Sequence, residues 1–186
     1  MLLGLLGLVL AAPLEAGFGF RKAITIDGSQ VVGGPHLDFP VMVAVEDPDL
    51  ATVANGGGVE SDSGYDIEFR AADGATVLDW EIDWYNPTTG RLTAWVRFPG
   101  TVGPPDTRIQ NGVNTTVYIY YGDPSIECCQ TTHGWVWDAN YRFVLHMGEL
   151  TGNPVDATSN GVGSQIDPNG EGVVIFRGEM ASPTGS

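Results

Sequence analysis

The stretch DIEFRAADGATVLDWEIDWY, Asp66 to Tyr85, decides the fold. It carries six carboxylates, and in two places acids alternate with apolar residues: Asp66-Ile67-Glu68-Phe69, then Asp79-Trp80-Glu81-Ile82-Asp83-Trp84. A strand projects successive side chains to opposite faces, so this period of two puts acids on one face and apolar residues on the other. Between the two runs stands Asp73-Gly74, a two-residue hairpin signal. With that turn, Ala72 pairs with Ala75, Phe69 with Leu78 and Ile67 with Trp80, so apolar meets apolar. The same register sets Glu68 against Asp79 and Asp66 against Glu81. A second turn, Asn86 to Gly90, leads into RLTAWVRFP. It sets Tyr85 against Arg91, Glu81 against Trp95 and Asp79 against Arg97. The expected core row is Leu78, Trp80, Ile82 and Trp84 against Leu92, Ala94, Val96 and Phe98.

Outward from this stretch the chain keeps the same character. RKAITID (Arg21–Asp27), FPVMVAVE (Phe39–Glu46) and TTVYIYYGDP (Thr115–Pro124) read as further strands, and Val41, Val43 and Val45 share a face. DPDLATVANGGGVESDSGY, with three consecutive glycines, reads as a long surface loop. Short Val/Ile/Thr/Tyr-rich runs between Gly, Asn, Asp and Pro clusters predict an all-β fold, an antiparallel β-sandwich of jelly-roll or immunoglobulin-like type. A length of 186 residues suits one domain, or one domain and part of another.

Charge excludes some partners. Eight basic residues against 23 acidic ones give a formal net charge of −15. Such a chain repels nucleic acid and anionic membranes and leaves cations as ligands. The apolar run Leu2–Ala12, followed by small residues up to Ala16, reads as an export signal over residues 1–16. It is too short to span a bilayer. The expectation is therefore a secreted or cell-surface protein. Cys128 and Cys129 are neighbours, so they cannot staple a loop and are expected free or joined to each other.

Three uses of the acidic face compete. As a solvated surface balanced by Arg97, it would leave Asp66, Glu68, Asp79, Glu81 and Asp83 accessible. As a polar-ligand surface it would use Asp79, Glu81, Asp83, Trp95 and Arg97. As a catalytic pair its acids, roughly 6.6 Å apart along one strand, project side by side rather than across a bond. The solvated face comes first, because acids with altered proton affinity sit in clefts. No residue is assigned a catalytic role and no cofactor is expected. Calcium is the one metal considered: Glu81, Asp83, Asp156 in DATSNGVG and Asp167 in DPNGEG are its candidate ligands, with Asx turns the simpler account of the two loops. His146 lies in an apolar run and is expected to pack. Asn114 in NTT fits a glycosylation acceptor.

FRKAITID, DFPVMVAV, YDIEFRAADGATVLDWEIDWYNPTTGRLTAWVRFP and VYIYYGDP follow in order and spacing. Over Phe20–Pro124 they resemble the domain of unknown function 2341, found in secreted and surface proteins of bacteria and archaea. Glu81-Ile82-Asp83, Ala94-Trp95-Val96 and Tyr120-Tyr121-Gly122-Asp123-Pro124 carry the similarity, and the Cys128-Cys129 pair and the long loop before Tyr65 depart from it. The resemblance implies a β-sandwich over residues 17–132, followed by a concanavalin-A-like, laminin-G-type jelly roll. VWDANYRFVLHMGE and DATSNG look like the opening of that second domain, so residues 133–186 are expected to be its incomplete start, packed on the first sandwich or poorly ordered. The family has no established catalytic residues to carry over. The expected function is a non-catalytic binding or structural module of a larger secreted or surface protein, with a polysaccharide or protein partner. The alternatives are a carbohydrate-active enzyme or its sugar-binding accessory, and a subunit of an extracellular assembly completed by an edge strand or by the apolar N-terminus.

Overall fold

The computed structural model describes residues 17–103, 105–131, 135–146 and 155–160, and the backbone of 163–166 and 174–177. The proposed leader, residues 1–16, lies outside the described residues, as does Asp167. The chain is an all-β antiparallel sandwich. One sheet has the order β1 (Phe20–Ile26), β6 (Thr115–Tyr121), β3 (Glu68–Ala71). The other has β2 (Phe39–Glu46), β5 (Arg91–Phe98), β4 (Asp79–Asn86). A separate hairpin pairs β7 (Gly163–Ile166) with β8 (Val174–Arg177). No helix among the described residues is long and apolar enough to cross a membrane.

Period-two alternation fills the space between the sheets. Phe69 and Ala71 from β3 and Val117 and Ile119 from β6 face Trp80 from β4 and Leu92, Ala94, Val96 and Phe98 from β5, all buried. Phe69 and Trp80 meet across the core with ring centroids 6.4 Å apart. The loop after β2 is packed rather than merely superficial: Leu50, Ala51 and Val59 are buried, and Thr52 bridges to Val59.

The Asp73–Gly74 turn is present, but it joins two sheets rather than two neighbours in one. Locally the expected register holds, since Leu78 donates its N–H to Phe69 O at 2.9 Å and Arg70 bridges to Val77. The closing pair is Ala71–Thr76, not Ala72–Ala75, because the Asp73 carboxylate takes the N–H groups of Ala75 (3.0 Å) and Thr76 (2.9 Å). Beyond that point the strands part. β3 pairs with β6, so Glu68 lies beside Tyr120, and β4 pairs with β5, so Asp79 lies beside Arg97. The expected pairs Ile67–Trp80, Glu68–Asp79 and Asp66–Glu81 do not form. Splitting the strands lets both apolar rows face one core, and it removes like charges from opposite positions, which would cost stability.

The Asn86–Gly90 turn stands as expected, with Asn86 Oδ1 accepting from Thr88 and Thr89 N–H at 2.9 and 3.2 Å. Asp79–Arg97, Trp80–Val96, Glu81–Trp95 and Ile82–Ala94 keep the expected register. A β-bulge between Ile82 and Trp84 then shifts it by one, giving Trp84–Thr93, Tyr85–Leu92 and Asn86–Arg91. One extra residue, Asp83, turns every later side chain to the opposite face. Trp84 is therefore outside, 46% exposed, with the Arg91 guanidinium 5.3 Å from its ring centre. Tyr85 turns inward and donates its hydroxyl to Leu50 O at 2.7 Å.

Candidate functional site

The outer face of the β2–β5–β4 sheet carries all five residues expected to meet a ligand, and the structure divides them into two groups. Arg97 and Asp79 form the first. The guanidinium pairs with Asp79 through Nε at 3.1 Å and Nη2, and reaches Asp38 through Nη1 at 3.0 Å. Its expected neighbour Glu68 is on the other sheet and pairs with Arg70 instead.

Glu81, Asp83 and Trp95 form the second group, and here the structure departs most from the solvated face. Glu81 is only 2% exposed. Its Oε1 accepts two hydrogen bonds from the downstream segment, one from Trp137 Nε1 at 2.8 Å and one from His146 Nε2 at 2.6 Å. An ionised carboxylate can only accept, so with Glu81 ionised this bond requires a proton on His146 Nε2. The other ring nitrogen of His146 lies 3.8 Å from Asp83 Oδ1. The bulge that exposes Trp84 is centred on Asp83, between Glu81 and that ring. Trp95, directly opposite Glu81 on β5, has its ring centre 5.1 Å from Trp137 and 6.2 Å from His146. Trp137 extends the cluster to Tyr141 at 5.1 Å, edge on. Val136 and Trp137 are buried.

The physics of this contact is that of a covered, hydrogen-bonded carboxylate. A buried carboxylate is tolerated only when charge-assisted hydrogen bonds replace its water. Trp137 and His146 supply them, while the three aromatic rings exclude solvent. Burial on this scale makes the pieces interdependent, since removing one partner of a buried pair is far costlier than replacing both.

Asp66, also expected to be accessible, has no exposed surface. It accepts from Glu60 N (2.9 Å), Ser61 N (3.0 Å) and Gly122 N (2.9 Å), and so ties the long loop to the end of β6. It is a structural clamp between the long loop and the end of β6, not part of the exposed acidic face.

Of the candidate calcium ligands, Glu81, Asp83 and Asp156 lie among the described residues. Glu81 and Asp83 face His146, and Asp156 Oδ1 accepts from Val144 N and Thr158 N, both at 3.0 Å, in a local turn. Among the described residues, no group of three or more His, Cys, Asp or Glu is arranged to hold a metal. Cys128 and Cys129 are exposed and free.

Reading the residues alone placed Glu81 and Trp95 together but missed Trp137 and His146 as their cover. A signal for it was present: a large indole amid acids on a polar face leaves apolar surface that something must shield. No known protein family matches the chain, and no curated protein or solved structure matches it.

Proposed function

We propose that this chain is a non-catalytic β-sandwich module of a secreted or cell-surface protein, and that its acidic strand face serves to grip the part of the protein that follows it. The observation that carries this reading is Glu81, a carboxylate at 2% exposure hydrogen-bonded by Trp137 and His146. A general acid or base must face a substrate proton across a cleft. Glu81 faces an indole and an imidazole of its own chain. The similarity of Phe20–Pro124 to a module of secreted and surface proteins supports the setting, as does the apolar run Leu2–Ala12.

Trypsin tests the grip, because Arg142 lies within the docked segment and its side chain is exposed. In the native protein, cleavage after Arg142 is expected to be slow, at a rate set by opening of the segment. Glu81→Ala should speed it by at least about tenfold, the effect of losing roughly 1.4 kcal/mol of docking. Cleavage of the native protein as fast as a free peptide of the same sequence would remove the basis for this function.

A further inference from the structure

A second feature lies among different strands and does not depend on the Glu81 contact. Phe20, the first residue of β1, is 51% exposed, and its ring stacks on Tyr121 with centroids 5.3 Å apart and planes 20° from parallel. It borders a cavity of about 310 Å³ whose other walls are Asp49 and the Gly56-Gly57-Gly58 turn. The triple glycine has a physical reason here. A Cβ on Gly58 would lie 2.8 Å from the Phe20 ring and 3.1 Å from Tyr121, and one on Gly122 would lie 2.8 Å from Phe20. Gly56 needs its positive φ of 90° to close the turn. Backbone therefore approaches the ring edge where any side chain would collide, and the half-exposed ring is stacked on Tyr121.

The polar side of this cavity is equally defined. Asp49, its side chain 68% exposed, pairs with Lys22 at 2.7 Å, and Lys22 also reaches Asp47 at 2.5 Å. A fixed apolar ring thus stands beside an ion pair that offers both donors and acceptors. The combination discriminates among ligands. A wholly apolar molecule would strip water from the ion pair without replacing it. An anion would meet Asp47 and Asp49, and a cation would meet Lys22. A neutral polyol ring satisfies every element: its C–H face covers an aromatic ring, and its hydroxyls both give and accept hydrogen bonds.

We propose that the Phe20–Gly58–Asp49 cavity is a binding site for one residue of a neutral polysaccharide. Phe20 is the stacking platform, and Asp49 is the hydroxyl partner in the cavity wall, with Lys22 paired to it at 2.7 Å. Cellohexaose, xylohexaose and mannohexaose are the probes, titrated by calorimetry into the whole chain up to about 10 mM, a range that detects weak single-site binding. At least one is expected to bind saturably. Phe20→Ala and, separately, the surface substitution Asp49→Ala should each weaken it at least about tenfold, with Phe20→Trp retaining it. Glu81→Ala should leave it unchanged, so failure of the docking reading and failure of this site are distinguishable. Thermal unfolding of both the Phe20→Ala and Asp49→Ala proteins guards against loss of binding through a folding defect. Absence of binding by all three oligosaccharides overturns the proposal. So does binding that survives both the Phe20 and Asp49 substitutions, or that is lost on Trp84→Ala.

Discussion

Asp66 and Trp84 show what single residues do in this fold and where parity stops. Asp66 replaces water with three backbone N–H groups, from Glu60, Ser61 and Gly122. Leaving buried donors unmet costs roughly 1–3 kcal/mol per group, so Asp66→Ala should lower the unfolding free energy by about 3 kcal/mol or more in urea titrations. A solvated Asp66 would have lost almost nothing. Trp80 and Trp84 stand four apart in one strand and should respond oppositely. Trp80→Ala empties a core site and should cost about 3–5 kcal/mol. Trp84→Ala, on the exposed side of the bulge, should cost under about 1 kcal/mol. The same urea titrations measure both. The inward row from Leu78 to Ile82 was legible from alternation. Trp84 was not, because one extra residue at Asp83 inverts the pattern and nothing in the side-chain sequence marks it.

At the scale of elements, the turn after β3 was legible and the partner of β3 was not. Asp73-Gly74 fixes a local reversal, and the Phe69–Leu78 register follows from it. Whether the two arms stay together depends on β6, which arrives in sequence long after both. Only the shared demand of Phe69 and Trp80 for one core separates them. The opposite rim of the sandwich, between edge strands β1 and β2, is spanned by Lys22, which reaches from β1 to Asp47 and Asp49 just past the end of β2. Burial works against the Lys22 charge, but hydrogen bonds to Asp47 and Asp49 outweigh it and raise its pKa above 10.5. The Lys22 hydrogen bond leads in lowering the Asp47 pKa, against its partial burial. The signs give a plateau. The lysine contribution is complete below pH 10.5 and is lost as pH rises through the higher folded value. The aspartate contribution is complete above its unfolded pKa of about 3.9 and is lost as pH falls through the lower folded value. Each side should amount to at most about 1 kcal/mol. Lys22→Met should flatten the stability profile of the native protein at both ends, as read by urea midpoints across pH.

For the whole molecule, composition and spacing were enough to give an all-β antiparallel sandwich and both hairpin turns. They did not give the use of its acidic face. The partners of Glu81 lie 56 and 65 residues further along, and no periodicity links such positions. Alternation and the neighbouring Arg97 predict that this chain keeps the acids of that face in water. It withdraws Glu81 instead, beneath rings from a segment that sequence reading had placed in a following domain. The Trp137 indole N–H reports on that covered carboxylate. Trp135, two residues away and 70% exposed, is an internal reference in the same spectrum. Hydrogen exchange followed by NMR should show the Trp137 indole proton slower than that of Trp135 by at least about 100-fold, a protection of roughly 2.7 kcal/mol, and Glu81→Ala should abolish the difference. Exchange of both indoles at the same rate in the native protein would mean that Trp137 does not cover Glu81 and would return the carboxylate to solvent.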